Sequence, residues 1–426
     1  MMRRRTALLT VAGGALVLAG GRVVTASRPP APPAAPTVSP LLNSVAVGPY
    51  PDGVAVDEST GRAFVSNQDG TIQVLDTHTG AQVRKVTVGG AFHTMATVQG
   101  LGRLFVVAIT SSGVGASVSA LDARTGRLVR TVTMGSNPHG LAVDGRAGRV
   151  YVGVNGGVTM FDARTGAPLR TIRLPVRGVS AGVALDARTG RLFVAQEGVT
   201  ATGLIPIQGG ASTVSTIDLH SEAVLRTVPV GTEPHLSALD ERTGRLFLVS
   251  TMSMRVDILD TRSGAVARTV PLGGAGLEPD AIAQDTQAGR VLLVSSGNGH
   301  GGAGHVTLLD ARTGTTIRTT AVGQYPWAAA VDERRSRAYV VSNSGAYVLD
   351  TRTGAVLRSL AILGGRLALD RRAQRLIVLG AVVPVPNRGR PEPAWERGLR
   401  RWAPWLRQQS ADNSTIHALT LDVSRQ

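Results

Sequence analysis

PHGLAVDGRAGRVYVGVNGGVTMFDARTGAPLRTIRLPVRG, residues 138–178, holds the plan of the whole chain. Four short segments rich in β-branched residues, 140–143, 149–154, 158–161 and 169–174, are separated by Gly, Asp or Asn. That pattern reads as four strands joined by tight turns. Two turns alternate. DGRAGR at 144–149 joins the first strand to the second, and DARTG at 162–166 joins the third to the fourth. In each, Asp bonds backbone amides and Gly accepts the left-handed conformation that a bulged hairpin needs. A calcium site is the rival reading of these carboxylates, but one per turn falls short of six to eight oxygen ligands.

Working outward, Asp-x-x-Thr/Ser-Gly recurs at 76–80, 122–126, 260–264, 310–314 and 350–354, with a worn copy at 218–222. The first turn recurs at 57–62, 186–191, 240–245, 285–290, 332–337 and 370–375, and in weakened form at 98–103. Eight starts therefore face seven second turns, and Leu421-Asp422 takes the eighth place. Units of about 40 residues, none able to bury its apolar face alone, predict an all-β fold: a single β-propeller of four-stranded blades. Eight blades are favoured. Seven is the alternative, if the weak second unit or the interrupted last unit forms no blade of its own. The last unit lacks a fourth strand, and LNSVAVG at 42–48 matches VRTVTMG at 129–135 in pattern. This amino-terminal strand is expected to complete the final sheet and close the ring, which removes the exposed edges.

At this point the sequence resembles the YVTN-type, YncE-like β-propellers. The likeness is carried by FVSN at 64–67, YVGVN at 151–155 and YVVSN at 339–343. It also rests on Pro-x-Gly-x-Ala-Val-Asp at 51–57, the related 138–144, and the Asp-x-x-Thr-Gly turns. It spans residues 41–383 and 414–423. The resemblance implies the propeller fold and an exported protein, and it implies no particular activity.

Composition agrees with many small strands: 43% hydrophobic, only 4% aromatic, 52 Gly and no Cys. Without Cys there is no disulfide framework, thiolate metal site, cysteine nucleophile or lipid-modified cysteine anchor. Arg3, Arg4 and Arg5 precede an apolar run from Ala7 to Gly20, and Val24-Thr25-Ala26 offers small residues for cleavage. Residues 1–26 are expected to be an export signal, general or twin-arginine, with an uncleaved membrane tether as the alternative. Residues 27–40, rich in Pro and Ala, read as a linker, and 41–426 as the propeller. The destination is the periplasm or the cell exterior.

A net charge of +16 invites a nucleic-acid reading. All basic residues but Lys85 are arginine, however, and they recur at repeat spacing. Arg124, Arg164, Arg188 and Arg312 lie in turns, and Arg130, Arg170, Arg226, Arg268, Arg318 and Arg358 early in one strand. Charge so distributed spreads round the ring instead of forming one stripe, and aromatic side chains to stack on bases are scarce. Nucleic acid is not expected as a partner.

In such blades the one–two and three–four turns share one face, here short and uniform. The two–three loops share the other and vary widely, as at 109–117, 197–212 and 297–304. Binding is expected on this variable face. The residue five before each one–two turn starts the innermost strand, near the mouth of the central channel. Round the ring these are Asp52, His93, His139, Ala181, His235, Asp280, Trp327 and Gly365. Asp52, His93, His139, His235, Asp280 and Trp327 are the candidate ligand-binding residues, and His93, His139 and His235 the candidate ligands of a divalent metal. His300 and His305 add to this face. The alternative is that these residues merely turn the chain into the strand and stay hydrated.

The insertion at 384–412 stands apart. After a Pro-rich tract, Trp395, Leu399, Trp402 and Leu406 fall at helical spacing among arginines, with Pro404 expected to kink or end the helix. Residues 394–409 read as a lid packed on the propeller, or as a peripheral contact with an anionic membrane. No serine elbow, zinc-protease helix, phosphate loop or dinucleotide fingerprint is present. The expected function is an exported, non-catalytic, monomeric scaffold binding a protein, glycan or small ligand on the variable face. The alternative is a propeller lyase or lactone hydrolase using channel-mouth His with a divalent metal. A quinone-cofactor dehydrogenase is a more remote third.

Overall fold

Every second strand of the repeat begins with Arg and every third strand ends with Asp, and in the folded chain these two residues face each other directly. The computed structural model describes residues 41–48, 50–109, 115–135, 138–175, 178–198, 212–272, 278–297, 303–360, 362–382 and 417–423. The chain divides into the units Met1–Pro33 and Ala34–Gln426, and all described residues belong to the second. The expected signal at 1–26, the linker at 27–40 and the insertion at 384–412, with Trp395, Leu399, Trp402 and Leu406, lie outside the described residues.

All regular structure among the described residues is β, in eight antiparallel sheets of four strands. Blades one to eight start at residues 51, 91, 141, 178, 234, 278, 326 and 362. Seven sheets run in chain order from strand one to strand four. In the eighth, Leu41–Ala46 pairs with His417–Asp422, beyond Arg375–Val382 and Ile362–Asp370. The amino-terminal strand therefore closes the ring as its pattern predicts, and the seven-blade alternative falls. The first strands of successive blades pack side by side, from Pro51–Asp57 round to Ile362–Asp370 and back to the start.

Alternation along the second and third strands explains the packing. Phe64 packs toward blade two with Leu104 and Val106, while Ala63 and Val65 pack toward blade eight with Ile377 and Leu379. A period of two thus feeds two interfaces at once. Among the described residues there are eight buried clusters, one for each junction between neighbouring blades.

The two repeated turns are tied together in every blade. Arg62 meets Asp76 at 2.5 Å, Arg103 Asp122 at 2.9 Å, Arg149 Asp162 at 3.3 Å and Arg375 Asp422 at 3.0 Å. Arg191–Asp218, Arg245–Asp260, Arg290–Asp310 and Arg337–Asp350 repeat the pair. The other carboxylate oxygen caps the turn. Asp162 Oδ1 accepts from the Arg164 and Thr165 amides at 3.1 and 2.8 Å and from the Thr165 hydroxyl at 2.9 Å. Both oxygens are thus engaged within the blade, which accounts for the repeated Asp without calcium. Asp422 pairs with Arg375 just as the turn aspartates do, so the eighth place keeps its ion pair.

Strand four carries a bulge beside this turn. Register skips leave Leu42, Val83, Val129, Leu169, Leu225, Ala267, Ile317 and Leu357 without a ladder partner. The next residue reaches the following blade. Arg130 Nε donates to Thr165 O at 3.2 Å, and Arg268 Nη1 to Thr313 O at 2.7 Å. Arg170 pairs with Glu222. In the closing strand Asn43 takes this place and donates to Thr79 O at 3.0 Å. Several strand-four arginines are therefore not a merely solvated surface but links between blades.

Burial raises the carboxyls of Asp76, Asp122, Asp260, Asp310 and Asp350, but turn amides, turn hydroxyls and the facing arginines outweigh it and hold each below its ordinary 3.8. For Asp162 the Thr165 amide is the largest influence and lowers it likewise. Depressed folded-state values stabilise the fold above the ordinary carboxylate range, and the contribution is lost as pH falls through the folded values. Urea midpoints should hold from pH 7 to about 5 and fall steeply below about 4. Asp310→Asn with Asp350→Asn should give a shallower acid slope, and an unchanged slope would refute the assignment.

Where repeat glycines are replaced, the backbone keeps the left-handed turn: Ser336 has φ 53°, Gln374 φ 58° and Glu222 φ 58°. Such a conformation costs a residue with a Cβ about 1–2 kcal/mol. Ser336→Gly should therefore stabilise the protein by about 1 kcal/mol in chemical unfolding. Gly314→Ala, at φ 68° and with its Cβ driven against Ile258, should do the opposite.

Candidate functional site

Seven of the eight sheets carry a second bulge, at the variable-face end of the innermost strand. The register skips from Pro51 to Gly53, Phe92 to Thr94, Ser180 to Gly182, Pro234 to Leu236, Pro279 to Ala281, Pro326 to Ala328 and Gly364 to Arg366. The residues left out are Asp52, His93, Ala181, His235, Asp280, Trp327 and Gly365. In blade three, His139 holds the same place before strand Leu141–Asp144, and its amide donates to Gly153 O at 2.9 Å. Counting back from the turns therefore lands on one structural feature in every blade. A bulge takes a residue out of the ladder and re-aims its side chain, the usual way a sheet presents a functional group.

What these residues touch differs round the ring. Trp327 Nε1 donates to Asn343 Oδ1 at 3.0 Å, and its ring stacks with Tyr325 at a centroid distance of 6.3 Å and 16° between planes. In the next blade Arg366, directly after the bulge, donates through Nε to Asp52 O at 3.0 Å and lies 3.6 Å from Asp52 Oδ1. Tyr50, two residues before Asp52, is 47% exposed. Blades seven, eight and one thus set Tyr325, Trp327, Arg366, Asp52 and Tyr50 along one stretch of the variable face. Elsewhere Asp280 Oδ2 accepts from the Ser296 amide at 2.6 Å, and His139 O accepts from the Ser180 hydroxyl at 3.1 Å.

Backbone strain marks the same edge. Tyr50, Glu233 and Tyr325 have φ of 50°, 56° and 49°, and each precedes a proline that starts an innermost strand. Left-handed backbone at bulky residues costs free energy and concentrates where a scaffold presents its chemistry. Tyr325, Tyr50 and Arg366 were not singled out from the sequence, and Asn343 was read only as the end of the YVVSN motif. The Tyr-Pro pairs at 50–51 and 325–326 were a signal available to be read.

The candidate histidines stand differently. The side chains of His93 and His235 and all of His300 fall outside the described residues, as do most of the long two–three loops. His305 lies on strand Gly304–Asp310 with Nδ1 buried. Among the described residues no group of three or more His, Asp and Glu is placed to hold a metal. No described helix is long and apolar enough to cross a membrane.

A family model described as outer membrane protein assembly factor BamB matches residues 36–270, more than half of the chain. The chain belongs to this family. Its fold is shared with the crystal structure of the computationally designed Ika8 protein at TM-score 0.59 and 16% identity, over 80% of this chain and 96% of that one. The C-terminal WD40 domain of Sif2 matches at TM-score 0.61 and 9% identity, over 91% and 99%. BamB from Moraxella catarrhalis matches at 17% identity and TM-score 0.48, over 68% and 81%. None of the curated proteins compared is detectably similar. At such identities the structural likenesses show the propeller fold alone.

A divalent-metal site at His93, His139 and His235 remains a proposal with a direct check. Elemental analysis of purified protein should show a stoichiometric divalent ion that His139→Ala with His235→Ala removes. Equal, substoichiometric content in both proteins would discard the site.

Proposed function

We propose that this BamB-family propeller is a protein-binding scaffold that recognises its partner on the variable face, along blades seven, eight and one. The observation that supports this most is the row of bulge-borne and flanking side chains Tyr325, Trp327, Arg366, Asp52 and Tyr50. Tyr, Trp and Arg are the residue types that dominate binding energy at protein interfaces, because each combines a large apolar body with a polar handle. Here they rise from a rigid ring and are pre-oriented by strained backbone and by Asn343, which lowers the ordering cost of association. Strand Arg375–Val382 ends and strand His417–Asp422 begins at this same end of blade eight.

The protein acts as an exported monomer in this reading, in keeping with a family described by outer membrane protein assembly. Closer kinship with the YVTN-type propellers is a narrower proposal resting on the motifs at 64–67, 151–155 and 339–343. A glycan or small-molecule ligand would use the same Tyr325–Trp327 stack, which offers a flat aromatic face.

Site-specific photo-crosslinking in cells tests the reading. A photoreactive residue at Tyr50, Tyr325 or Trp327 should yield one discrete protein adduct, whereas Arg124 or Arg312 on the turn face should yield none. Adducts confined to the turn face, or equal from both faces, would reject it.

A further inference from the structure

The face formed by the repeated turns is less quiet than its regularity suggests. Around the channel opening on that side, one–two turns of neighbouring blades are joined by polar side chains. Arg188 Nε donates to Glu241 O at 2.9 Å, and Arg242 Nε to Thr286 O at 2.8 Å. The Thr286 amide and hydroxyl donate to Glu333 Oε1 at 3.0 and 2.9 Å, and Arg371 Nε to Glu58 Oε1 at 2.8 Å. Where blades four, five and six meet, an open cavity of ≈ 700 Å³ is lined by the ends of their inner strands and these turns. Arg188 and Arg242 both line it.

These two arginines are built alike. Each is exposed, and each is pinned through Nε to a backbone carbonyl of the next blade. No hydrogen bond or ion pair to a described residue engages Nη1 or Nη2 of either. A guanidinium fixed at Nε has lost much of its freedom already, so its remaining N–H groups form a prepared fork for an oxyanion. Glu241, whose Oε1 accepts from the Ala187 amide at 3.1 Å, is the one carboxylate in the lining against the two arginines. Exposed Ser237 adds a hydroxyl to the lining.

We propose that this turn-face mouth binds the phosphate group of a small molecule through Arg188 and Arg242. The volume exceeds that of a lone ion and falls in the range of small-molecule sites. The fixed cationic forks match three phosphate oxygens better than a single carboxylate edge. This site lies on the face opposite Trp327 and is independent of the partner proposed there.

Isothermal titration of the full chain with sodium pyrophosphate at low salt is the test. One site is expected, weakened about tenfold or more by Arg188→Gln and by Arg242→Gln. Arg352→Gln, which removes an equally exposed arginine of the same face away from the cavity, should leave affinity unchanged. Pyrophosphate should also raise the unfolding midpoint of the parent and of Arg352→Gln, and not of the other two variants. Co-sedimentation with phosphatidylglycerol vesicles separates the sources. Sedimentation lost in both cavity variants would support a lipid headgroup, and pyrophosphate binding without sedimentation would support a soluble phosphate compound. No binding, or equal losses in all three variants, would overturn the proposal.

Discussion

The Arg–Asp pair between the start of strand two and the end of strand three is the interaction on which the rest of the blade is built. It occupies directly opposed positions in all eight sheets. Singly, a partly exposed ion pair of this kind contributes modestly. Its importance here is geometric. One carboxylate oxygen sets the three–four turn, the other holds the strand that leaves the one–two turn, and so both turns share a register. With register fixed, the apolar alternation of strands two and three can point to two different neighbours without ambiguity.

A second layer of polar contacts locks blade to blade. The Asp of the one–two turn is buried in most blades, and in blades four and six its far oxygen meets a Thr of the following blade. Thr261 donates to Asp186 Oδ2 at 2.8 Å, and Thr351 to Asp285 Oδ2 at 2.5 Å. Where the weak second unit has Val98 in place of Asp, the next blade has Ala163, and both are fully buried in one apolar cluster. At these three junctions polar faces polar and apolar faces apolar. That matching is why a unit that looks degenerate in isolation still forms a sound blade.

Much of this was legible in the sequence, because turns obey local chemistry. Asp and Gly at fixed offsets reveal the hairpins, and their number gives the blades. The same counting reached the inner bulges, since a bulge at a fixed distance from a turn is also a local feature. The strand-four arginines were harder. From sequence they are evenly spaced surface charges, and only the twist that brings one blade's outer strand against the next blade's turn shows that Arg130 and Arg268 bind carbonyls. The row from Tyr325 to Tyr50 was hidden for a related reason: its members are up to 316 positions apart in the chain and meet because Leu41–Ala46 closes the ring.

By itself, then, the sequence determined the fold class, the closing strand and the places where side chains leave the ladder, and it favoured eight blades over seven. These follow from interactions within about one unit of the chain, where hydrogen bonding and alternation leave few options. Only the tertiary structure decided which residues become neighbours across blades. It joined Arg366 to Asp52, and it brought Arg188 and Arg242 to one cavity. Such contacts depend on the angle and twist between sheets, which no residue encodes alone, and so the candidate sites appeared only when the ring was closed.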